Sequence, residues 1–122
     1  MSVNAVTLEK MHRLETIYRR GLQSDLIDRT VDKLIELEQA RALRELAELD
    51  QRLAAFELQY QLTSDAFYAR YEAGQLGDSA DFMEWSSFCD MRRAAQQYLD
   101  WLRGDGDPWS PSYLTIGAAC AL

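Results

Sequence analysis

The residues that decide the fold are Ser24–Gln61, with the sequence SDLIDRTVDKLIELEQARALRELAELDQRLAAFELQYQ. This stretch contains no glycine or proline, and its apolar residues recur every three or four positions, which is the period of an amphipathic helix. At a rise of about 1.5 Å per residue, the helix would be roughly 55 Å long. A domain of 122 residues cannot surround a helix of that length on all sides. We therefore expect other segments to pack along it.

The apolar positions within this helix predict which side is covered. In its second half they are spaced four and three residues apart, as in a coiled-coil seam: Ala42, Leu46, Leu49, Leu53, Phe56 and Tyr60. Upstream, Ile27, Val31 and Leu34 follow the same rule one residue out of phase, and the two phases meet at Leu34 and Ile35. The seam is therefore expected to change face there, so that one helix covers the N-terminal part and another covers the remainder.

Three further stretches have helical character. Residues 7–20 form the first helix, which begins at Thr7 as N-cap and ends before Gly21, because glycine readily adopts the left-handed conformation that closes a helix. Residues 64–73 form a short helix capped by Ser64, and residues 79–103 form the last helix, capped by Asp78 or Ser79. We predict an all-α fold in which the long helix, residues 24–61, is flanked by the first and last helices.

The domain organisation follows from the same pattern. Residues 1–103 are predicted to form a single helical domain, as expected for a chain of 122 residues. The helical pattern stops at Gly104, and two prolines lie downstream of it. Residues 104–122 are therefore predicted to be a tail that is mobile or binds a partner.

Composition narrows the class of partner. The chain has 20 acidic and 13 basic residues, giving a net charge of −7. This charge argues against nucleic acid or an anionic membrane as the ligand and favours a basic protein. The N-terminus has no signal-peptide pattern, and no apolar run approaches the ~20 residues of a membrane span, so we expect a cytoplasmic protein. Cys89 and Cys120 are too few and too separate for a disulfide framework, and they are expected to be reduced.

The candidate catalytic residues are few. His12 is the single histidine, so neither a histidine-based zinc site nor a Ser-His-Asp triad can be assembled persuasively. Two carboxylate pairs, Glu45 with Glu48 and Asp78 with Asp81, have the spacing that places both side chains on one helix face and could hold magnesium. We therefore predict a non-enzymatic protein without a cofactor, and keep a magnesium site on these residues as the alternative.

The carboxylate pattern is loosely similar to that of all-α nucleotide pyrophosphatases. Those enzymes use a helical Glu-x-x-Glu pair followed by Glu-x-x-Asp. In this chain the second pair lacks its glutamate, and Asp78 is also a candidate N-cap. Arg41 and Arg52 additionally lie four residues from Glu45 and Glu48, as in the ion pairs of a solvated helix face. The similarity implies a magnesium-dependent nucleotide pyrophosphatase as an alternative function.

Aromatic residues are concentrated in the C-terminal half and suggest a binding surface. Large rigid rings anchor protein interfaces because they fill a pocket with little loss of entropy. Acidic residues beside them would steer a basic partner. The predicted partner-binding residues are Tyr71, Glu72, Asp78, Asp81, Phe82, Glu84, Trp85, Trp101 and Trp109.

One further resemblance involves the same region. The run SDAFYARYEAGQLGDSADFMEWSSFCDM, residues 64–91, is preceded by SDLIDRTVDKLIELE, residues 24–38. Together they resemble small acidic helical antitoxins of prokaryotic toxin–antitoxin modules, which have a Tyr-Glu-x-Gly-x-Leu-Gly-Asp turn before an acidic helix rich in Phe and Trp. The similarity extends over about residues 24–102. It implies a protein that neutralises a basic toxin enzyme of the ribonuclease type by occluding it.

The remaining apolar residues of the long helix suggest self-association. Four leucines lie outside the predicted seam, and a second copy of the chain is the simplest cover for them: Leu26, Leu37, Leu43 and Leu58. This leaves a homodimeric helical scaffold as a further alternative to the antitoxin-like function.

Overall fold

The computed structural model describes residues 3–105, with side chains from residue 4 onwards. Within this range the chain is helical, without strands: α1 (Val3–Arg19), α2 (Asp25–Tyr60), α3 (Ser64–Glu72) and α4 (Ala80–Leu102). The predicted all-α class is confirmed, and α2 agrees with the predicted long helix to within one residue at each end. The predicted tail, including Trp109 and Cys120, lies outside the described residues apart from Gly104 and Asp105. Among the helices described, none is both long enough and apolar enough to cross a membrane.

The structure contradicts the predicted start of α1 and confirms its predicted end. The helix begins at Val3, so Thr7 lies inside it and is not its N-cap. The intervening residues contain no glycine or proline and therefore do not oppose an earlier start. At the other end Gly21 has φ +87°, and its N–H donates to the Tyr18 carbonyl at 3.0 Å while the Leu22 N–H donates to the Ile17 carbonyl at 3.3 Å. This pairing closes the helix as predicted.

The caps of the two C-terminal helices are also defined. Thr63, rather than the predicted Ser64, caps α3, and its hydroxyl accepts from the Ala66 N–H at 3.2 Å. Ser79 caps α4, and its hydroxyl accepts from the Phe82 N–H at 3.2 Å. Of the two predicted caps, Asp78 and Ser79, the second is therefore the one observed. Threonine and serine are both good caps, so sequence alone could not decide between Thr63 and Ser64.

The chain divides into two compact units, Met1–Glu36 and Leu37–Leu122, here called the N-terminal and C-terminal units. In the C-terminal unit, α4 runs antiparallel to the second part of α2. The Gln39 side-chain amide donates to the Leu102 carbonyl at 3.2 Å near one end, and the Tyr60 hydroxyl donates to Asp81 near the other. The predicted pairing of α2 with the last helix is therefore present.

The core of the C-terminal unit has two clusters. The first joins α2 to the end of α4 and contains Ala42, Leu46, Leu49, Ala95 and Leu99. The second joins α2, α3 and α4 and contains Leu53, Phe67, Tyr68, Trp85 and Cys89. Phe56 and Tyr60 are partly buried against the second cluster. The seam predicted for the second half of α2 is therefore the face that packs into the core, and Cys89 is a buried free thiol.

The described part of the N-terminal unit has no comparable core. None of its described side chains, residues 4–36, is buried. The Tyr18 hydroxyl donates to the Ser24 carbonyl at 3.0 Å and also to the Asp28 carboxylate, which fixes the last turn of α1 to the start of α2. Nevertheless Leu8 and Met11 on α1 remain 67% and 53% exposed. The first helix therefore covers the N-terminal part of α2, residues 25–36, only partially.

Candidate partner-binding surface

Trp85 lies at the centre of the second core cluster. Its side chain is completely buried and stacks on Phe67, with ring centroids 3.9 Å apart and planes 2° from parallel. Phe56 and Tyr60 stack on it at 5.5 and 5.7 Å. The predicted partner-binding role of Trp85 does not fit this fold, because three helices close around the ring and leave none of it exposed.

The indole N–H of Trp85 is satisfied by an inward-facing serine. Nε1 donates to the Ser64 hydroxyl at 2.9 Å, and the Ser64 backbone N–H donates to the Glu57 carboxylate at 2.7 Å. Ser64 is itself buried, with 7% of its surface exposed. This one residue therefore links the start of α3 to both α2 and α4. The local sequence around Ser64 predicts only helix capping and not this role.

Two other predicted aromatic residues form the edge of the same cluster. Tyr71 is half-buried and stacks on Phe67 at 5.4 Å. Phe82 is half-buried, and its ring centroid lies 5.2 Å from that of Tyr60 and 5.5 Å from that of Phe67. Both rings thus offer at most one side to a partner. Trp101, in the last turn of α4, is also half-buried.

The predicted acidic residues differ in accessibility. Glu72, at the end of α3, and Asp78 and Glu84, beside the start of α4, are exposed. Asp81 is half-buried and accepts hydrogen bonds from the Tyr60 hydroxyl and, at 3.5 Å, from the Gln59 amide. The bond to Asp81 raises the pKa of Tyr60. Asp81 therefore holds α4 against α2, and the other three carboxylates remain available to a partner.

Besides the hydrogen bonds of Ser64, a second set of polar side chains joins α3 to α4, and it was not predicted from the sequence. The Tyr68 hydroxyl donates to Asp90 at 2.7 Å, and the Arg93 guanidinium donates to the same carboxylate oxygen at 2.7 Å. Burial, together with the bond to Asp90, raises the pKa of Tyr68 to about 12. The group fixes the orientation of α3, and the spacing of its members in the sequence does not reveal it.

A third polar group lies near the other end of α4. Glu38 accepts hydrogen bonds from the Arg41 guanidinium, at 2.8 Å, and from the Tyr98 hydroxyl. These bonds lower the pKa of Glu38 to about 2, the contribution of Arg41 being the larger. Beside them a shallow groove of about 420 Å³ is lined by residues of both helices: Arg41, Glu45, Met91, Ala94, Ala95 and Tyr98.

The four carboxylates of the alternative magnesium site are not brought together. Asp81 is bonded to Tyr60, whereas Glu48 precedes Tyr60 by twelve residues on the same helix, or about 18 Å along its axis. Glu45 is one turn further away and lines the groove beside Tyr98. Among the described residues there is no group of three or more His, Cys, Asp or Glu side chains that could hold a metal ion.

The four leucines of the predicted dimer face are all accessible. Leu26, in the N-terminal unit, is 76% exposed, and Leu58, in the C-terminal unit, is 74% exposed. Leu37 and Leu43 are 56% and 48% exposed. Their use as an interface stays a prediction, because exposed leucines are also common on monomeric proteins.

Charge is divided unequally between the two units. Residues 1–36 contain six basic and six acidic residues, so their net charge is zero. Residues 37–122 contain the remaining 7 of the 13 basic and 14 of the 20 acidic residues, so they carry the entire −7. The unit with the packed core is therefore the acidic one.

Comparison with family models, with curated proteins and with solved structures finds no match to this chain.

Proposed function

We propose that this protein is an antitoxin-like binding protein whose C-terminal unit neutralises a basic toxin enzyme, of the ribonuclease class, by covering its RNA-binding surface. The observation that carries the proposal is the charge distribution, because the packed helical unit holds the whole net charge of −7. A ribonuclease presents basic groups to the phosphates of its substrate. An acidic protein can compete for those groups and exclude the RNA.

The proposed contact surface consists of Glu72, Asp78 and Glu84, beside the half-buried rings of Tyr71 and Phe82. The carboxylates are solvent-exposed, so they can accelerate the approach of a basic partner at little cost in desolvation. The rings supply apolar area beside these charges. Because both rings pack against the buried Phe67 ring, they are held rigid before binding, which limits the entropy lost on association.

The first experiment is co-expression with the protein encoded by the adjacent gene. A stable complex is expected, together with stoichiometric inhibition of that protein's cleavage of RNA in a purified assay. Binding should weaken as salt increases, since exposed charges are screened over about 8–10 Å at physiological ionic strength. An adjacent gene product that neither binds the chain nor has its RNA cleavage inhibited would refute the proposed function.

The second experiment locates the surface with matched charge reversals. Asp78→Lys with Glu84→Lys should weaken the complex by about tenfold or more, because two steering charges become repulsive. Glu45→Lys with Glu48→Lys is the control, since it changes the net charge by the same amount on exposed positions elsewhere on α2. Equal loss in both variants would show that only the overall charge matters and would contradict the proposed surface.

A further inference from the structure

The N-terminal unit presents an apolar face that its own two helices do not cover. Leu14 on α1 is 41% exposed, and Val31 and Leu34 on α2 are 42% and 50% exposed. A groove of about 520 Å³ lies between the last turns of α1 and the first turns of α2, lined by Leu14, Glu15, Tyr18, Ile27, Asp28, Val31 and Asp32. The groove is open to solvent, and three of its seven lining residues are aliphatic: Leu14, Ile27 and Val31.

The charge of this unit indicates which partner the face fits. Its net charge is zero, whereas the C-terminal unit carries −7. Two copies of the chain would repel each other through their C-terminal units but not through their N-terminal units. A strongly basic protein, in contrast, gains no electrostatic advantage from the N-terminal face. Neutrality thus favours self-association at this position.

The charges within the N-terminal unit are also separated by helix. Residues 3–20 have a net charge of +2, from Lys10, Arg13, Arg19 and Arg20 against Glu9 and Glu15. Residues 25–36 have a net charge of −2, from Asp25, Asp28, Asp32 and Glu36 against Arg29 and Lys33. Arg13 and Arg19 form ion pairs with Glu9 and Glu15 within α1, so the excess positive charge lies on Lys10 and Arg20.

We propose that the N-terminal unit binds the same unit of a second copy of this chain, forming an intermolecular bundle of four helices. In a two-fold symmetric dimer each patch meets its own counterpart, so a face with one positive and one negative helix is complementary to itself. The positive α1 of one copy lies against the negative start of α2 in the other. The apolar residues lining both grooves, including Leu14 and Val31, become buried between the copies. This surface differs from the face of Leu26, Leu37, Leu43 and Leu58 and does not depend on the proposed toxin binding.

The first test measures the mass of the full chain in solution by analytical ultracentrifugation over a range of concentrations. A dimer is expected for the parent protein. Leu14→Ala with Val31→Ala should weaken dimerisation by about a hundredfold or more, because a two-fold interface contains each truncation twice. Leu58→Ala is the matched control and should leave the dimer unchanged, since Leu58 is exposed outside the N-terminal unit.

The second test uses charge reversal in two separate chains. Lys10→Glu with Arg20→Glu makes both helices of the unit negative, and Asp32→Lys with Glu36→Lys makes both positive. Each variant alone should dimerise at least about tenfold more weakly than the parent, and an equimolar mixture should form the heterodimer. None of these positions is buried, so far-UV circular dichroism should show unchanged helicity.

Three results would overturn the proposal. One is a parent chain that stays monomeric at high concentration. Another is a dimer that survives Leu14→Ala with Val31→Ala but is lost with Leu58→Ala. The third is charge-reversed chains that dimerise as tightly alone as when mixed, since this would contradict the pairing of α1 with α2 of the second copy.

Discussion

Replacing Trp85 by alanine is expected to destabilise the C-terminal unit severely rather than to remove a binding contact. The indole is completely buried, stacks on three aromatic rings and donates a hydrogen bond to Ser64. Truncating a buried tryptophan to alanine costs about 3–5 kcal/mol, because apolar contacts are lost and a cavity remains. The cavity would also leave the buried Ser64 hydroxyl without its donor.

This cost is large relative to the stability of the unit. The described part of this unit, residues 37–105, contains 69 residues, and a folded segment of that size has an unfolding free energy of about 4–10 kcal/mol. The Trp85→Ala chain should therefore lose at least about a third of this stability, and all of it if the parent lies at the low end of the range. In a binding experiment, loss of the partner by such a variant would not distinguish unfolding from loss of a contact, so surface charge reversals are the appropriate probes of the interface.

The assay is equilibrium unfolding in urea, followed by far-UV circular dichroism. The parent, Trp85→Ala and Leu58→Ala should be compared under identical conditions and at the same protein concentration, because dimerisation would alter the apparent stability. Leu58 is 74% exposed, so its truncation should change the unfolding free energy by no more than about 0.5 kcal/mol. If Trp85→Ala costs less than about 1 kcal/mol, the inference that Trp85 is a core residue is refuted.

Three further changes follow from individual contacts. Ser64→Ala should lower the unfolding free energy in urea by about 1–3 kcal/mol, because the buried Trp85 N–H loses its acceptor, and a cost near zero would contradict this. The pKa of Tyr68 is raised from 10.0 to about 12, so its neutral form stabilises the fold below about pH 10, and this contribution is lost as the pH rises through 12. Tyr68→Phe should therefore make the unfolding free energy fall less steeply between pH 10 and 12. Urea titrations of the parent and the variant at successive pH values measure this difference. The pKa of Glu38 is lowered from 4.5 to about 2, so its ionised form stabilises the fold above about pH 4.5, and this stabilisation is lost as the pH falls through 2. Glu38→Gln should therefore make the unfolding free energy fall less steeply between pH 4.5 and 2. An unchanged pH profile would count against the bonds to Glu38.

The helices could be predicted from local signals. The three- and four-residue spacing of Ala42, Leu46, Leu49 and Leu53 identified the face of α2 that is buried. Gly21 marked the end of α1 because its φ of +87° strongly favours glycine. The start of α1 was misplaced by four residues because Val3–Val6 carries no signal for or against a helix.

The accessibility of the predicted partner-binding residues could be predicted only in part. Glu72, Asp78 and Glu84 are exposed, as expected for acidic residues that would steer a basic partner, since charged residues are normally solvated. The aromatic residues were harder to assign, because a ring that packs into a core and a ring that binds a partner have the same periodicity. Tyr71 and Phe82 are half-buried, so each ring packs partly against the core and is partly exposed to solvent.

The sequence by itself determined the helical class, the long helix, its buried face and the acidic balance, because periodicity, capping and charge are properties of neighbouring residues. Only the tertiary structure decided that Trp85 is core and that Ser64 faces inward to bind it, because this contact joins residues 21 positions apart on different helices. It also decided that Asp81 bonds to Tyr60, far along α2 from Glu45 and Glu48, and that the N-terminal unit leaves Leu14 and Val31 exposed. These outcomes depend on how separate helices pack, and a pattern within one helix does not specify its neighbour.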